Sequence, residues 1–275
     1  MSTEYLYNHL IGYSLSLATL LYIGLAFFFI EKIRPADPNM KFFKKDFRTE
    51  LCYPLFNFLF SSPIFKYIAI ILTVVLLEPY FPYQIFADEI HALPVGIQIF
   101  LAMLITDIAV YLEHRFAHKY LWSFHSMHHM TEEVSWLTTF RIHPINGLTI
   151  ALFPVVIKFL IGFNGDAIVI ASYITVVLAY FQHANIDFGF PKPFCYLLVS
   201  PRFHRWHHAK DKAAIDKNFC LAFPFLDVLG GTYFCPNHMP SKYGVFRAKS
   251  EKIPTTFLSQ IWLPIHNLLK PSKLK

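Results

Sequence analysis

Residues 107–129 read DIAVYLEHRFAHKYLWSFHSMHH and carry two histidine clusters directly after the end of an apolar run. The first cluster is H-x-x-x-H over residues 114–118, and the second is H-x-x-H-H over residues 125–129. A third cluster repeats H-x-x-H-H over residues 204–208. Positions i, i+3 and i+4 share one face of a helix, so each cluster directs at least two imidazoles to one point.

Together, the three clusters predict a metal site. Their eight imidazoles exceed the about four to six ligands of one ion but suit two ions with open positions, and imidazole binds Zn, Cu, Fe and Ni. Spacing alone does not choose among these metals. The predicted ligands are His114, His118, His125, His128, His129, His204, His207 and His208.

The remaining histidines stand outside the clusters. A lone histidine is more often a hydrogen-bonded core residue than a ligand, and on position alone this interpretation applies to His143 and His183. The others are interpreted as structural or exposed, namely His9, His91, His238 and His266.

The composition is that of a membrane protein. Hydrophobic residues make up 55% of the 275 residues, and charged residues only 15%, against roughly 25% in soluble domains. A bilayer core needs about 20 helical residues. Apolar stretches long enough or nearly so cover residues 11–30, 51–77, 94–112, 145–163 and 167–183. We therefore predict an all-α integral membrane protein with about four to five transmembrane helices and a cytoplasmic histidine-rich catalytic cap.

One of these stretches leaves an alternative open. Residues 51–77 are interrupted by Pro54, Pro63 and Lys66, so they fit either one span or an interfacial segment followed by a span. The short link 163–166, by contrast, predicts a tight hairpin between the last two spans.

The basic residues define the orientation. If the N-terminus is outside and all five stretches cross, segments 31–50, 113–144 and 184–275 lie inside and hold 22 of the 24 Lys and Arg residues. The outside segments 1–10, 78–93 and 164–166 hold none. The positive-inside rule then places the histidine clusters in the cytoplasm. The net charge of +6 is explained by this asymmetry, and no nucleic-acid partner is expected.

Asp107 is an ionisable residue inside the third apolar stretch. It precedes Tyr111 by 4 residues, His114 by 7 and His118 by 11, so all four lie near one helical face. Ionisable residues at membrane depth are functional candidates. We expect Asp107 to accept an N–H from a ligand histidine, with an interhelical hydrogen bond as the alternative, and take Asp107 and Tyr111 as candidate catalytic residues.

A longer series of motifs resembles a known family. HRFAH, HSMHH, RIHP, FQHAN and SPRFHRWHH, followed by DKNF and LDVLGGTY, closely resemble the fatty acid hydroxylase/sterol desaturase superfamily from about Asp107 to Tyr233. The resemblance implies a helical membrane protein with two iron ions held by cytoplasm-facing histidines over a lipid tunnel. It also implies O2 as cosubstrate and electrons from a separate reductase or cytochrome.

The resemblance also extends the ligand set. It adds His183, in FQHAN, as a ninth ligand and makes His143, in RIHP, a candidate. Some members have a second histidine four residues after the ninth ligand, and this chain departs from that pattern with Asp187.

The predicted function is hydroxylation or desaturation of a sterol or fatty acyl chain in lipid biosynthesis. An ether-lipid (alkylglycerol-type) monooxygenase is the alternative within the family. A metal-handling membrane transporter is the alternative from another class, and a zinc hydrolase lacks support because no H-E-x-x-H occurs. The expected regions are an N-terminal transmembrane region 1–93, a catalytic region 94–240 and a basic tail 241–275. The expected location is the bacterial inner membrane or the endoplasmic reticulum.

Overall fold

The computed structural model of the chain describes residues 18–19, 21–41, 43–77, 79–80, 84–246 and 254–269. Within these ranges the regular structure is helical, apart from one isolated bridge between Ala209 and Tyr243. The α-helices are α1 (Leu21–Ile30), α2 (Phe47–Phe56), α3 (Ser62–Ile70), α4 (Ala87–His91), α5 (Val95–Tyr120), α6 (Trp122–His129), α7 (Pro144–Ile161), α8 (Gly165–His183), α9 (Pro201–His207), α10 (Phe225–Leu229) and α11 (Phe257–Leu269). Two π-helical segments cover Asn57–Ser61 and Ile71–Leu77, and short 3-10 helices cover Trp136–Phe140, Phe194–Tyr196 and Lys212–Ala214.

Three of the described helices, α5, α7 and α8, are long and apolar enough to cross a membrane. They correspond to the third, fourth and fifth apolar stretches, and the prediction of an all-α integral membrane protein is confirmed. At 26 residues, α5 exceeds the roughly 20 that a bilayer core requires. Its last turns, which carry His114 and His118, therefore extend toward one membrane surface.

The first two apolar stretches do not settle the number of spans. Part of the first, residues 11–17 and 20, lies outside the described residues, and the described segment α1 covers ten residues. In the second, α2, the two π-helical segments and α3 follow one another without a break from Phe47 to Leu77. The total of four to five spans therefore stays a prediction.

The three long helices form the frame of the molecule, because α5 packs against both α7 and α8. Gly162, with a φ of 95°, ends α7, and the Asn164 side chain accepts a hydrogen bond from the Asp166 N–H at the start of α8. This arrangement confirms the tight hairpin. A side chain at Gly162 would meet Ala87 at 2.8 Å in a backbone conformation that glycine adopts most readily.

The hairpin sets the position of the histidines. The end of α5 contacts the start of α7 through Glu113 and Asn146, whereas the start of α5 packs with the end of α7 and the start of α8. The C-terminal ends of α5 and α8 and the N-terminal end of α7 therefore lie on one side of the bundle. The short helices α6 and α9 pack there, against α5 and α8 respectively. The predicted tail is partly structured, since α11 packs against α2 and α6.

Candidate metal centre

The nine histidines named as ligands lie in two groups at this end of the bundle. Each residue offers a ring nitrogen, and within a group these nitrogens all lie within 4.8 Å of one another. Group one contains His114, His118, His125, His129 and His207, and group two contains His128, His183, His204 and His208. All nine rings are buried or nearly so.

The two H-x-x-H-H clusters each serve both groups. On α6, His125 and His129 join group one and His128 joins group two, whereas around α9 His204 and His208 join group two and His207 joins group one. The physical reason is the helical repeat: residues i and i+4 lie about 40° apart, while residue i+3 lies on their other flank. The sequence prediction that each cluster directs at least two imidazoles to one point is therefore met by His125 with His129 and by His204 with His208. That the third histidine of each cluster joins the other group was not predicted.

The distances within the groups fit a metal ion. In group two, Nε2 of His183 lies 3.1 Å from Nε2 of His128 and 2.9 Å from that of His204. In group one, Nε2 of His125 lies 3.1 Å from Nε2 of both His114 and His129. Adjacent nitrogens bound about 2.1 Å from one octahedral metal would lie about 3.0 Å apart.

Two further nitrogens of group one support this fit. Nε2 of His118 and Nε2 of His207 are buried and have no hydrogen-bond partner. A buried polar atom without a partner is costly unless something binds it. A cation between the rings would bind both, and an all-imidazole donor set suits iron, zinc or copper.

In four of the five histidines of group one, the outer nitrogen is hydrogen-bonded to an oxygen atom. Nδ1 of His114 bonds the Phe219 carbonyl at 2.9 Å, that of His118 the Asp216 carboxylate at 3.0 Å, that of His125 the Asn146 side-chain oxygen at 2.8 Å, and that of His207 the Lys217 carbonyl at 2.7 Å. Each such oxygen accepts the Nδ1–H, which fixes the tautomer and leaves Nε2 with a free lone pair.

The charge state of the rings also favours metal binding. Burial lowers the pKa of His125 to about 3, and burial together with neighbouring histidines lowers the pKa of the other histidines in the two H-x-x-H-H clusters well below 6.5. These imidazoles are neutral at neutral pH, and neutral imidazole is the form that binds a metal.

Asp107 does not make the contact expected from the sequence. Its carboxylate accepts the backbone N–H groups of Leu221 at 2.6 Å, Ala222 at 3.1 Å and Phe223 at 2.6 Å, and no histidine. It therefore anchors the loop 219–223, in which the Phe219 carbonyl binds His114. The sequence could not show this because the loop lies more than 110 residues away along the chain.

Tyr111 lies beside this loop. Its hydroxyl bonds the Thr232 hydroxyl at 3.1 Å and accepts a hydrogen bond from Arg115 at 3.1 Å. Its ring packs against Phe219 in a buried apolar cluster. These contacts place Tyr111 in the support of group one, and its catalytic role stays a prediction.

His143 lies outside both groups. Its Nδ1 accepts the Ile145 N–H at the start of α7, and its Nε2 bonds the Ile261 carbonyl of α11. Asp187, at the position of a histidine in some family members, pairs instead with Arg202 at 3.4 Å. His238 packs against Trp206, in agreement with its interpretation as structural.

Several residues of the site were missed from the sequence. Asp227 is fully buried and accepts the backbone N–H groups of Phe219 and Cys220 and the Thr232 hydroxyl. Asp216 belongs to the DKNF motif and Asp227 to the LDVLGGTY motif. The motifs therefore marked both residues, but the sequence did not show which groups they bond. Glu113 and Asn146, considered below, carried no motif.

A cavity of about 160 Å³ lies between the histidines and the long helices. Five of the histidines border it, two from group one and three from group two. The walls toward the bundle are mainly apolar, with Val110, Ile142, Ile150, Ala179 and Leu221, and the polar side chains among the other lining residues are Thr139, Asn146 and Gln182. The cavity therefore suits an apolar chain that reaches both groups.

Residues 99–232 match the protein family described as fatty acid hydroxylase. The chain is 28% identical over 173 residues to the ornithine lipid hydroxylase OlsE of Rhizobium tropici, covering 62% of this chain and 51% of that protein. It is 26% identical over 167 residues to an alkylglycerol monooxygenase of Caenorhabditis elegans, covering 59% and 31% of the two chains. It is 30% identical over 149 residues to that of Danio rerio, covering 53% and 32%.

The chain thus spans about half the length of the first of these relatives and about a third of the other two. No solved structure gives a significant match.

Proposed function

We propose that this chain, whose residues 99–232 match the fatty acid hydroxylase family, is a membrane-bound oxidoreductase that uses O2 to hydroxylate or desaturate a lipid. The observation that carries this proposal is the convergence of nine buried histidines in two groups beside an apolar cavity. The histidines would hold two metal ions, and the cavity would hold the part of the lipid that is oxidised.

We propose two iron ions, one in each histidine group. Iron, when bound, supplies the activation of O2 that cleavage of an unactivated C–H bond requires and that no side chain provides. Neither group contains a carboxylate among its ligand atoms, in contrast to the soluble carboxylate di-iron bundles. The protein's own contribution is to hold neutral rings in place and to keep water from an apolar chain.

The lipid is proposed from the cavity and the relatives together. The relatives are named as an ornithine lipid hydroxylase and alkylglycerol monooxygenases, so insertion of oxygen into a membrane lipid has the stronger support. Ether-lipid oxidation is the second candidate, supported by the two alkylglycerol monooxygenases.

Comparison of lipids from cells with and without the gene, grown under 18O2, tests the function. We expect one lipid class to gain a single labelled oxygen atom only when the gene is present. A lipid that gains a double bond and no label would instead indicate desaturation. An unchanged lipid profile together with metal uptake by vesicles would support the transporter, and zinc with hydrolysis would support a hydrolase.

We also propose that the histidine end of the bundle faces the cytoplasm, in the bacterial inner membrane or the endoplasmic reticulum. The distribution of Lys and Arg supports this orientation. Electrons would then come from a separate cytoplasm-facing reductase or cytochrome.

Cysteine labelling tests the orientation. In a background without the native cysteines, cysteine at the exposed positions Ile85 and Ser241 should react from opposite sides of the membrane. Labelling of both from one side would contradict the topology.

A further inference from the structure

Glu113 is a buried carboxylate near the metal groups. It lies on α5, directly before His114, and only 4% of its surface is exposed. No lysine or arginine in the described part of the chain pairs with it. A buried carboxylate without a cation is expensive, so its hydrogen bonds call for an explanation.

Those hydrogen bonds come from α7. Oε1 of Glu113 accepts the Asn146 side-chain N–H at 2.9 Å and the Thr149 hydroxyl at 2.5 Å, while Oε2 is buried without a partner. A carboxylate only accepts hydrogen bonds, so the amide nitrogen of Asn146 must face Glu113. The amide oxygen of Asn146 must then face His125.

The orientation of Asn146 determines the state of His125. The amide oxygen lies 2.8 Å from Nδ1 of His125, so Nδ1 carries the proton and Nε2 is left free. That Nε2 is the central nitrogen of group one, 3.1 Å from Nε2 of both His114 and His129. Whether this Nε2 is protonated therefore affects metal binding by all of group one.

We propose that Glu113 is a positioning residue for the group-one metal and acts through Asn146 on His125. Its charge polarises the amide, strengthens the Nδ1–H hydrogen bond and makes Nε2 a better donor to the metal. His125 is distinctive in this respect, because His114 and His207 bond backbone carbonyls and His118 bonds a carboxylate that is largely exposed. The proposal rests on the metal centre proposed above.

The test is Glu113→Gln, which keeps the size and an acceptor oxygen but removes the charge. Iron is released from purified protein to a ferrous chelator, and the group-one phase is identified as the one lost in His207→Ala. We expect group-one iron to bind about 10- to 100-fold more weakly in Glu113→Gln, with group-two iron unchanged. Asn146→Ala breaks the same link at its centre and should weaken the same phase, which covers the case that the first variant does not fold.

Moving the charge separates positioning from packing. In Glu113→Gln/Asn146→Asp the carboxylate sits directly on His125, and the amide introduced at position 113 can donate to it, so most of the lost affinity should return. Thr149→Val removes the other hydrogen bond to Glu113 and should lower thermal stability without weakening group-one iron.

Wild-type iron affinity in Glu113→Gln would overturn the inference. So would equal losses of group-one iron affinity in Thr149→Val and Glu113→Gln, or a double variant that binds group-one iron as weakly as Glu113→Gln. A wild-type protein that binds no iron in either group would instead overturn the proposed function.

Discussion

The two histidine groups are built by the same short helices but are held in different ways. In group one, Nδ1 of four of the five histidines bonds an oxygen atom. In group two, only His183 has such a bond, to the Ala179 carbonyl at 2.8 Å. Nδ1 of His128, His204 and His208 is buried without a partner.

This difference indicates how each proposed metal site would be organised before a metal ion binds. Hydrogen bonds to Nδ1 fix tautomer and ring orientation and make the ligand more basic, so group one is preorganised. Group two depends more on the metal itself to align its rings. Group two also has one histidine fewer and supplies three of the five histidines that border the cavity, which would leave a metal ion there better placed to bind a further molecule.

The largest expected effect comes from removing one ligand of each group. His207→Ala should remove group-one iron and His204→Ala group-two iron, each leaving about one iron per chain. Activity should fall by more than about 100-fold in both, because chemistry needs both positions. Iron analysis with a turnover assay measures this.

His238→Ala is the matched control, since that ring packs against Trp206 outside both groups. It should change neither iron content nor turnover. Loss of both irons in His207→Ala would show that the groups bind metal as one unit and would break the comparison.

Asp107→Asn should give the next largest effect. In the native protein the Asp107 carboxylate accepts three backbone N–H groups. Asn retains one acceptor oxygen, but its side-chain NH2 group would face N–H groups to which it cannot hydrogen-bond. Hydrogen bonds to a buried charge contribute about 1.5 to 3 kcal/mol each, so we expect a loss of roughly 3 kcal/mol and disorder in the loop that fixes His114.

Thermal unfolding in detergent, with iron content measured beside it, tests this expectation. A lower Tm together with weakened group-one iron is expected. Normal stability with reduced turnover would contradict the anchoring role. It would instead support the expectation from the sequence that Asp107 acts at the metal site.

The sequence predicted the histidines of both groups more fully than the residues around them. The H-x-x-H-H spacing is local, so helical geometry alone predicted that at least two rings of each cluster converge. His183 was added only by the family resemblance. Likewise, α5, α7 and α8 were predictable because a bilayer requires long apolar runs. The identity of the nine histidines as metal ligands is still a prediction, although the structure brings them together.

The hydrogen-bond partners were not predictable for a physical reason. Asp107 bonds a loop that follows 114 residues later, and Asn146 bonds His125 across α6 and α7. Such contacts depend on how the helices pack and not on spacing within one helix. The division of each H-x-x-H-H cluster between two groups was missed for the same reason, since it requires a second site on the other flank of the helix.

The rate of metal release tests the comparison directly. Because group two has fewer hydrogen-bonded rings, its iron should leave to a ferrous chelator about tenfold faster than group-one iron. The two phases can be assigned with His204→Ala and His207→Ala, each of which lacks one of them. Equal rates, or earlier release from group one, would show that hydrogen bonds to Nδ1 do not determine metal retention here.

Asp187→Ala should have the smallest effect, although Asp187 follows the group-two histidine His183 by only four residues. Its side chain is 39% exposed and pairs with Arg202 at 3.4 Å and Arg34 at 4.0 Å. Exposed ion pairs contribute about 0 to 1 kcal/mol, so we expect a Tm decrease of a few degrees at most and unchanged iron release.

His183→Ala, one helical turn earlier, should by contrast remove group-two iron. If Asp187→Ala accelerated release of group-two iron, that group would have an outer carboxylate like the one Asp216 provides to His118 in group one, and the difference between the groups would be smaller than the described contacts indicate.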